Sequence, residues 1–84
     1  MTPVQVRAAR GLLSWIVDRL SARSGTSYHV VRTFEQTGRI APLHGRTQQV
    51  DVAAAIRATL EAAGIEFIRE NGDGAGVRLR KPGQ

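Results

Sequence analysis

Apolar residues recur at three- and four-residue spacing through most of the chain, a pattern that predicts α-helices. The first predicted helix covers residues 3–13 and begins behind the capping hydroxyl of Thr2. The last covers residues 52–63, with Asp51 as its cap, and ends at Gly64. The expected inward positions of these two helices are Val6, Ala9, Leu12 and Leu13 in the first, and Ala53, Ile56, Leu60 and Ala63 in the last.

Two shorter helices meet at Gly25, in the middle of this pattern. The second predicted helix covers residues 16–23 and the third covers 28–37. Inside one long helix a glycine costs about 1 kcal/mol relative to alanine, whereas at a helix end its missing Cβ permits the left-handed conformation. Ser27 can cap the third helix, and the small Ser21 suits a close approach of the two backbones. We therefore expect two helices joined by a tight turn at a steep angle.

The third helix has an apolar face and a polar face. Val31 and Phe34 can anchor it on the core, which leaves its N-terminal turn exposed. A helix presented in this way can enter the DNA major groove, which is about 12 Å wide. A solvated helix face with no ligand is the other interpretation of the same pattern. The candidate groove contacts are Ser27, Tyr28, His29, Arg32, Thr33 and Gln36, with Arg32 suited to guanine.

After Gly64 the period of the pattern changes from 3.6 to 2, which predicts a β-hairpin. The expected strands are "IEFI" and "VRLR", and the loop between them contains three glycines. The apolar positions of both strands, Ile65, Phe67, Val77 and Leu79, can share one side. An isolated hairpin is marginal in water, so it should pack on the helices or join a second hairpin across a dimer axis. We expect one mainly α domain, with a helical bundle over 1–64, its hairpin over 65–81 and a tail over 82–84.

The charge of the chain favours a polyanionic partner. Its 84 residues carry a formal charge of +5, and eleven of the twelve basic residues are arginine. The planar guanidinium suits phosphate and guanine edges, although a basic protein can also lack any such partner. Candidate phosphate contacts are Arg19 and Arg23 on the second helix, and Arg39 and Arg46 in the loop that follows the third helix.

Several kinds of chemistry find no support in the sequence. Without cysteine there are no disulfides or thiolate metal sites. His29 and His44 have no carboxylate cluster beside them, so we expect neither a metal, a cofactor nor enzyme activity. No apolar run approaches the roughly 18 residues of a membrane span, and the first residues lack the order of a secretory signal. We expect a soluble, cytoplasmic protein.

Three stretches, "RAARGLLSW", "LSARSGTSYHVVRTFE" and "LEAAGIEFIRENGDGAGVRLRK", resemble the Cro/cI-like helix-turn-helix regulators of the XRE family. The resemblance implies a four- to five-helix bundle in which the third helix reads bases and the second clamps the DNA backbone. It also implies a homodimer on a two-fold symmetric double-stranded DNA operator. An arginine of the first helix typically pairs with a glutamate late in the third, and the matching positions here are Arg10 and Glu35.

The chain departs from the family pattern at two places. Relatives commonly begin the second helix with serine and glutamine, where this chain has Ile16 and Val17, and many carry a basic residue where it has Thr33. Both departures weaken the expected grip on DNA. The expected function is a sequence-specific transcriptional regulator, repressing or autoregulating. The alternatives are a helix-turn-helix scaffold that binds protein, such as an antitoxin or anti-activator, and a protein that binds nucleic acid without sequence preference.

Overall fold

The computed structural model describes residues 1–39, 49–69, 72 and 74–80, which form four α-helices followed by a two-stranded antiparallel hairpin. The helices are α1 (Pro3–Leu13), α2 (Val17–Ser24), α3 (Tyr28–Thr37) and α4 (Gln49–Ala62), and the strands are β1 (Ile65–Ile68) and β2 (Gly76–Leu79). The predicted mainly helical fold with a C-terminal hairpin is confirmed. None of the described helices is long and apolar enough to cross a membrane.

Local signals start α1 and end the first three helices. The Thr2 hydroxyl accepts the Gln5 N–H at 3.1 Å, and the Gln5 side-chain oxygen accepts the Thr2 N–H at 2.8 Å. This reciprocal capping satisfies two N–H groups that a helix start leaves unpaired. Left-handed residues end each helix: Ser14 follows α1, Gly25 follows α2 and Gly38 follows α3.

The core lies between the four helices and the first strand. Each element contributes at least one side chain that is almost fully buried, and burial of each large one contributes about 1.5–3 kcal/mol. Trp15, which lies between the first two helices, packs against this core. The buried apolar residues are Val6, Ala9, Leu20, Val30, Val31, Phe34, Val52, Ile56, Leu60 and Ile65.

The hairpin packs on the helices, with β2 against α1 and β1 against α4. Its register pairs Ile65 with Leu79 and Phe67 with Val77, so the four predicted apolar residues do share one side. Ile65 is buried and Phe67 is partly covered, but Leu79 remains 44% exposed. The side chain of Gln5 joins α1 to the loop end of the hairpin by donating to the carbonyl oxygens of Gly76 and Ile68, at 2.9 and 3.3 Å.

Four details of the sequence prediction are wrong. Helix α2 runs one residue later than expected, with Ile16 as its cap, and β2 begins and ends one residue earlier. Helix α4 begins at Gln49, so Asp51 lies inside it and does not cap it, because nothing in the two preceding residues stops a helix. Leu12 is 46% exposed because it lies about 120° around α1 from the buried Val6.

Candidate nucleic-acid interface

The turn between α2 and α3 makes α3 a separate helix with its own start. Gly25 adopts a left-handed conformation (φ 71°), and its N–H bonds to the Ser21 carbonyl oxygen. The Thr26 N–H reaches the same oxygen at 3.1 Å. The Ser27 hydroxyl then accepts the Val30 N–H at 3.1 Å and caps α3. The predicted break at residue 25 and the predicted cap are both confirmed.

One face of α3 is fixed in the protein interior. Val30, Val31 and Phe34 are buried, and Glu35 is buried beside them. Ser21 is also buried on α2, and its hydroxyl donates to the Asp18 carbonyl oxygen at 3.0 Å. Helix α2 packs against α3, and the small serine is buried; the close approach of the two backbones at Ser21 stays a prediction. The opposite face of α3 is therefore held in one orientation.

The exposed face of α3 presents most of the predicted groove contacts. Tyr28, His29, Arg32 and Gln36 are exposed, and so is the cap Ser27. Residues 29, 32 and 36 follow one another at three- and four-residue spacing, so they form one line along the helix. Thr33 differs from expectation: it is half-buried, because its position turns toward the anchored side of the helix.

Arg32 is the principal hydrogen-bond donor of this face. Its Nη1 lies 3.5 Å from the Tyr28 hydroxyl oxygen, one helical turn earlier, at the outer limit of a hydrogen bond. Among the described residues its guanidinium has no other partner. The remaining donors are free to form two parallel bonds with a planar acceptor such as the O6/N7 edge of guanine.

An ion pair ties α3 to α1. Arg10 donates from Nε to Oε2 and from Nη2 to Oε1 of Glu35, each at 2.7 Å, and its Nη1 donates to the Trp15 carbonyl oxygen at 3.0 Å. The hydrogen bonds to Glu35 are the main reason that the pKa of Arg10 is raised above its ordinary value; burial opposes this rise and the carboxylate charge adds to it. The predicted pair is confirmed as a two-pronged contact.

Arg7 is a member of this cluster that sequence reasoning missed. Its Nη1 donates to the backbone carbonyl oxygen of Glu35, so two arginines of α1 hold the same residue of α3. The available signal was the three-residue spacing of Arg7 and Arg10, which places both on one side of α1. Together they join α1 to α3 at this one residue.

The candidate phosphate contacts have different environments. Arg19 and Arg39 are exposed, and the side chain of neither has a partner among the described residues. Arg23 is also exposed, but its guanidinium lies over the Trp15 ring, 5.4 Å from the ring centre. Arg46 lies outside the described residues, as does His44.

Arg23 and Trp15 also form one wall of an open cleft whose other wall is α4. The cleft has a volume of about 360 Å³, and Ala58 and Ala62 line it on the α4 side. No pattern in the sequence predicts this cleft, because its walls come from elements far apart in the chain. No group of three or more His, Cys, Asp or Glu side chains within the described ranges is arranged to hold a metal ion.

The start of α2 has no capping side chain. Ile16 occupies the cap position with no side-chain hydrogen bond and is 66% exposed. Val17, by contrast, packs against the core, so Ile16 is the exposed member of this apolar pair.

No protein-family model matches the chain, and no curated protein is similar to it in sequence.

Proposed function

We propose that this protein is a sequence-specific DNA-binding transcriptional regulator that inserts α3 into the major groove. The observation that carries the proposal is the contrast between the two sides of α3. One side is fixed by three buried apolar residues and by the Arg10–Glu35 pair, and the other presents Tyr28, His29, Arg32 and Gln36 to solvent. Base recognition needs a rigid helix whose central arginine keeps most of its donors unpaired, as Arg32 does here. A solvated helix face with no ligand would need neither feature.

The remaining parts of the proposal concern how the protein acts. Arg19 and Arg39 would neutralise phosphates beside the groove, and the formal charge of +5 would assist association. The resemblance to the XRE family supports a cytoplasmic homodimer on a two-fold symmetric operator. Repression by occluding a promoter, including the promoter of its own gene, is the simplest outcome of such binding.

Two experiments test this proposal. The first is selection of bound sequences from a randomised duplex library, and the second is a footprint on the DNA upstream of the protein's own gene. The wild-type protein should enrich one motif, and Arg32→Glu should abolish its enrichment. Arg57→Glu is the matched control, because it changes the net charge equally on the exposed side of α4. Equal affinity for the enriched and a scrambled sequence at matched salt would show non-specific binding instead.

One observation favours a second candidate function, binding to a protein as an antitoxin or anti-activator does. Ile16 is the most exposed large apolar residue described, at a position where a serine would stabilise the helix. The two functions separate by substitution: Arg32→Glu should leave binding to a protein partner intact, and Ile16→Ser should weaken it.

A further inference from the structure

The open cleft beside Trp15 and Arg23 has two firmly held walls. The Trp15 N–H donates to the Arg10 carbonyl oxygen at 2.9 Å, and the Trp15 carbonyl oxygen accepts from Nη1 of Arg10 at 3.0 Å. The Trp15 side chain also packs against the core. Helix α2 packs directly against α4, so the position of one wall relative to the other is fixed. We name this space the α2–α4 cleft, and its lining residues are Trp15, Arg23, Ala58, Thr59, Ala62 and Ala63.

Small side chains on α4 create the space in the cleft. Ala58 and Ala62 are exposed one helical turn apart, and Thr59 and Ala63 are half-buried beside them. Because the indole of Trp15 forms the other wall, most of the lining is apolar. The volume of about 360 Å³ lies at the lower end of the range for small-molecule sites, about 300–1,000 Å³. The cleft therefore suits a ligand with one or two rings.

Arg23 gives the cleft its charge preference. It is the single charged residue of the lining, and within the described residues it has neither an ion pair nor a hydrogen bond. Its guanidinium lies 5.4 Å from the centre of the Trp15 ring, a contact that leaves its N–H donors free. A guanidinium binds a carboxylate through two parallel hydrogen bonds. An apolar cleft with one unneutralised arginine thus favours an anion that has an apolar body.

We propose that the α2–α4 cleft binds a small aromatic carboxylate. The carboxylate would pair with Arg23, and the ring would lie between the indole of Trp15 and the methyl groups of α4. Contact between two aromatic rings adds to the free energy gained by burying apolar area, so an aromatic acid fits the cleft better than an aliphatic one. This site needs neither DNA nor a second copy of the chain.

Arg57 supplies an internal control for Arg23. Its guanidinium also lies over an aromatic ring, 4.8 Å from the centre of Phe67, and it lines a different cleft beside the hairpin. Its Nε is already paired with the Glu61 carboxylate at 3.2 Å. Substitution of either arginine by glutamine therefore removes one charge and one contact with a ring, but only Arg23→Gln changes the α2–α4 cleft.

Occupancy of the cleft would also weaken DNA binding, a step that rests on the proposed function. Arg23 is a candidate phosphate contact, and a bound carboxylate would occupy its donors and cancel its charge. Phenylacetate should therefore raise the Kd of the wild-type protein for the selected duplex, relative to acetate at the same ionic strength. Ala58→Leu, which fills the cleft, should bind the duplex but lose this response. An unchanged wild-type Kd would overturn the coupling.

An NMR titration without DNA tests the site itself, because Trp15 is the only tryptophan and gives a single indole N–H signal. Phenylacetate should shift this signal saturably. Phenylacetamide, which keeps the ring but has no charge, should bind at least about tenfold more weakly. Acetate, which has no ring, should leave the signal in place. A shift by phenylacetate that does not saturate by about 10 mM, or equal affinity for its amide, would overturn the site.

Four variants at exposed positions locate the ligand in the same titration. Arg23→Gln should weaken phenylacetate binding at least about tenfold, and Arg57→Gln should not change it. Ala58→Leu should weaken binding by filling the cleft, whereas Ala54→Leu, one turn earlier on α4 and outside the lining, should not.

Equal losses in the two glutamine variants would show attraction by net charge alone, and full binding by Ala58→Leu would place the ligand elsewhere. Either result overturns the site. Failure of the DNA selection would overturn the proposed function and leave the titration at Trp15 as a separate test.

Discussion

The guanidinium of Arg10 and the carboxylate of Glu35 face each other through two hydrogen bonds of 2.7 Å, joining the first helix to the proposed recognition helix. The Glu35 side chain is only 5% exposed, and that of Arg10 is 20% exposed. The third donor of Arg10 holds the Trp15 carbonyl oxygen. One side chain therefore connects α1, α3 and the segment that leads into α2.

Removing one partner of this pair should destabilise the fold strongly. Arg10→Ala leaves a buried carboxylate without its counter-charge, which costs about 3–5 kcal/mol of unfolding free energy. Urea denaturation followed by circular dichroism measures the loss. Arg57→Ala breaks the exposed 3.2 Å pair with Glu61, removes the guanidinium that lies 4.8 Å from the Phe67 ring centre, and should cost no more than about 1.5 kcal/mol. Equal losses in the two variants would show that the Arg10 pair does not join the helices as described.

Replacing both partners by apolar residues should recover much of that stability. The double variant Arg10→Met, Glu35→Leu removes both buried charges, and such replacements are often neutral or stabilising. We expect its unfolding free energy to exceed that of Arg10→Ala by at least about 2 kcal/mol. A double variant as unstable as the single one would assign the loss to packing and not to the unpaired carboxylate.

Gly25 should tolerate no residue with a Cβ without loss of stability, although there is space for one. A Cβ there would meet no atom within 4 Å, so the cost of Gly25→Ala comes from the left-handed backbone alone, about 1–2 kcal/mol. Gly25→Asn should lose less, since asparagine tolerates this conformation. Gly11→Ala, also free of contacts but inside α1, should gain up to about 1 kcal/mol. Thermal unfolding of the three variants gives the comparison, and equal effects at residues 11 and 25 would contradict it.

A hydroxyl at the start of α2 should stabilise the protein. Ile16→Ser introduces a side chain that can accept an unpaired N–H of the first turn, worth about 1 kcal/mol. Ile16→Ala is the control, because it shortens the apolar side chain without supplying an acceptor. The midpoint of urea denaturation should rise for serine only. A destabilised serine variant would mean that Ile16 has an apolar contact worth more than the cap.

The proposed phosphate contacts should appear in the salt dependence of DNA binding. Each phosphate neutralised adds about 0.9 to the slope of log affinity against log salt, so Arg19→Gln and Arg39→Gln should each reduce the slope by about one. Fluorescence anisotropy with the selected duplex over a range of salt concentrations measures this slope. Arg57→Gln should leave the slope unchanged, and an equal reduction there would show that the positive charge acts without a defined site.

Much of the candidate site was predictable because it depends on close neighbours in the chain. The caps at Thr2 and Ser27 and the left-handed Gly25 involve groups no more than five residues apart. The Arg10–Glu35 pair came from a family resemblance, since two residues on different helices give no local signal. Base contact by Arg32 and phosphate contact by Arg19 and Arg39 stay predictions.

The sequence by itself determined where α1 and α3 begin and end and which face of α3 is apolar, because backbone capping and helical periodicity act over one or two turns. Only the tertiary structure decided that Leu12 remains exposed, that Arg23 lies over Trp15 and that β2 packs against α1 while β1 packs against α4. These features depend on which element packs beside which. The arrangement of the elements is determined by burial of the apolar surface of all of them at once, and no short stretch of the chain encodes it.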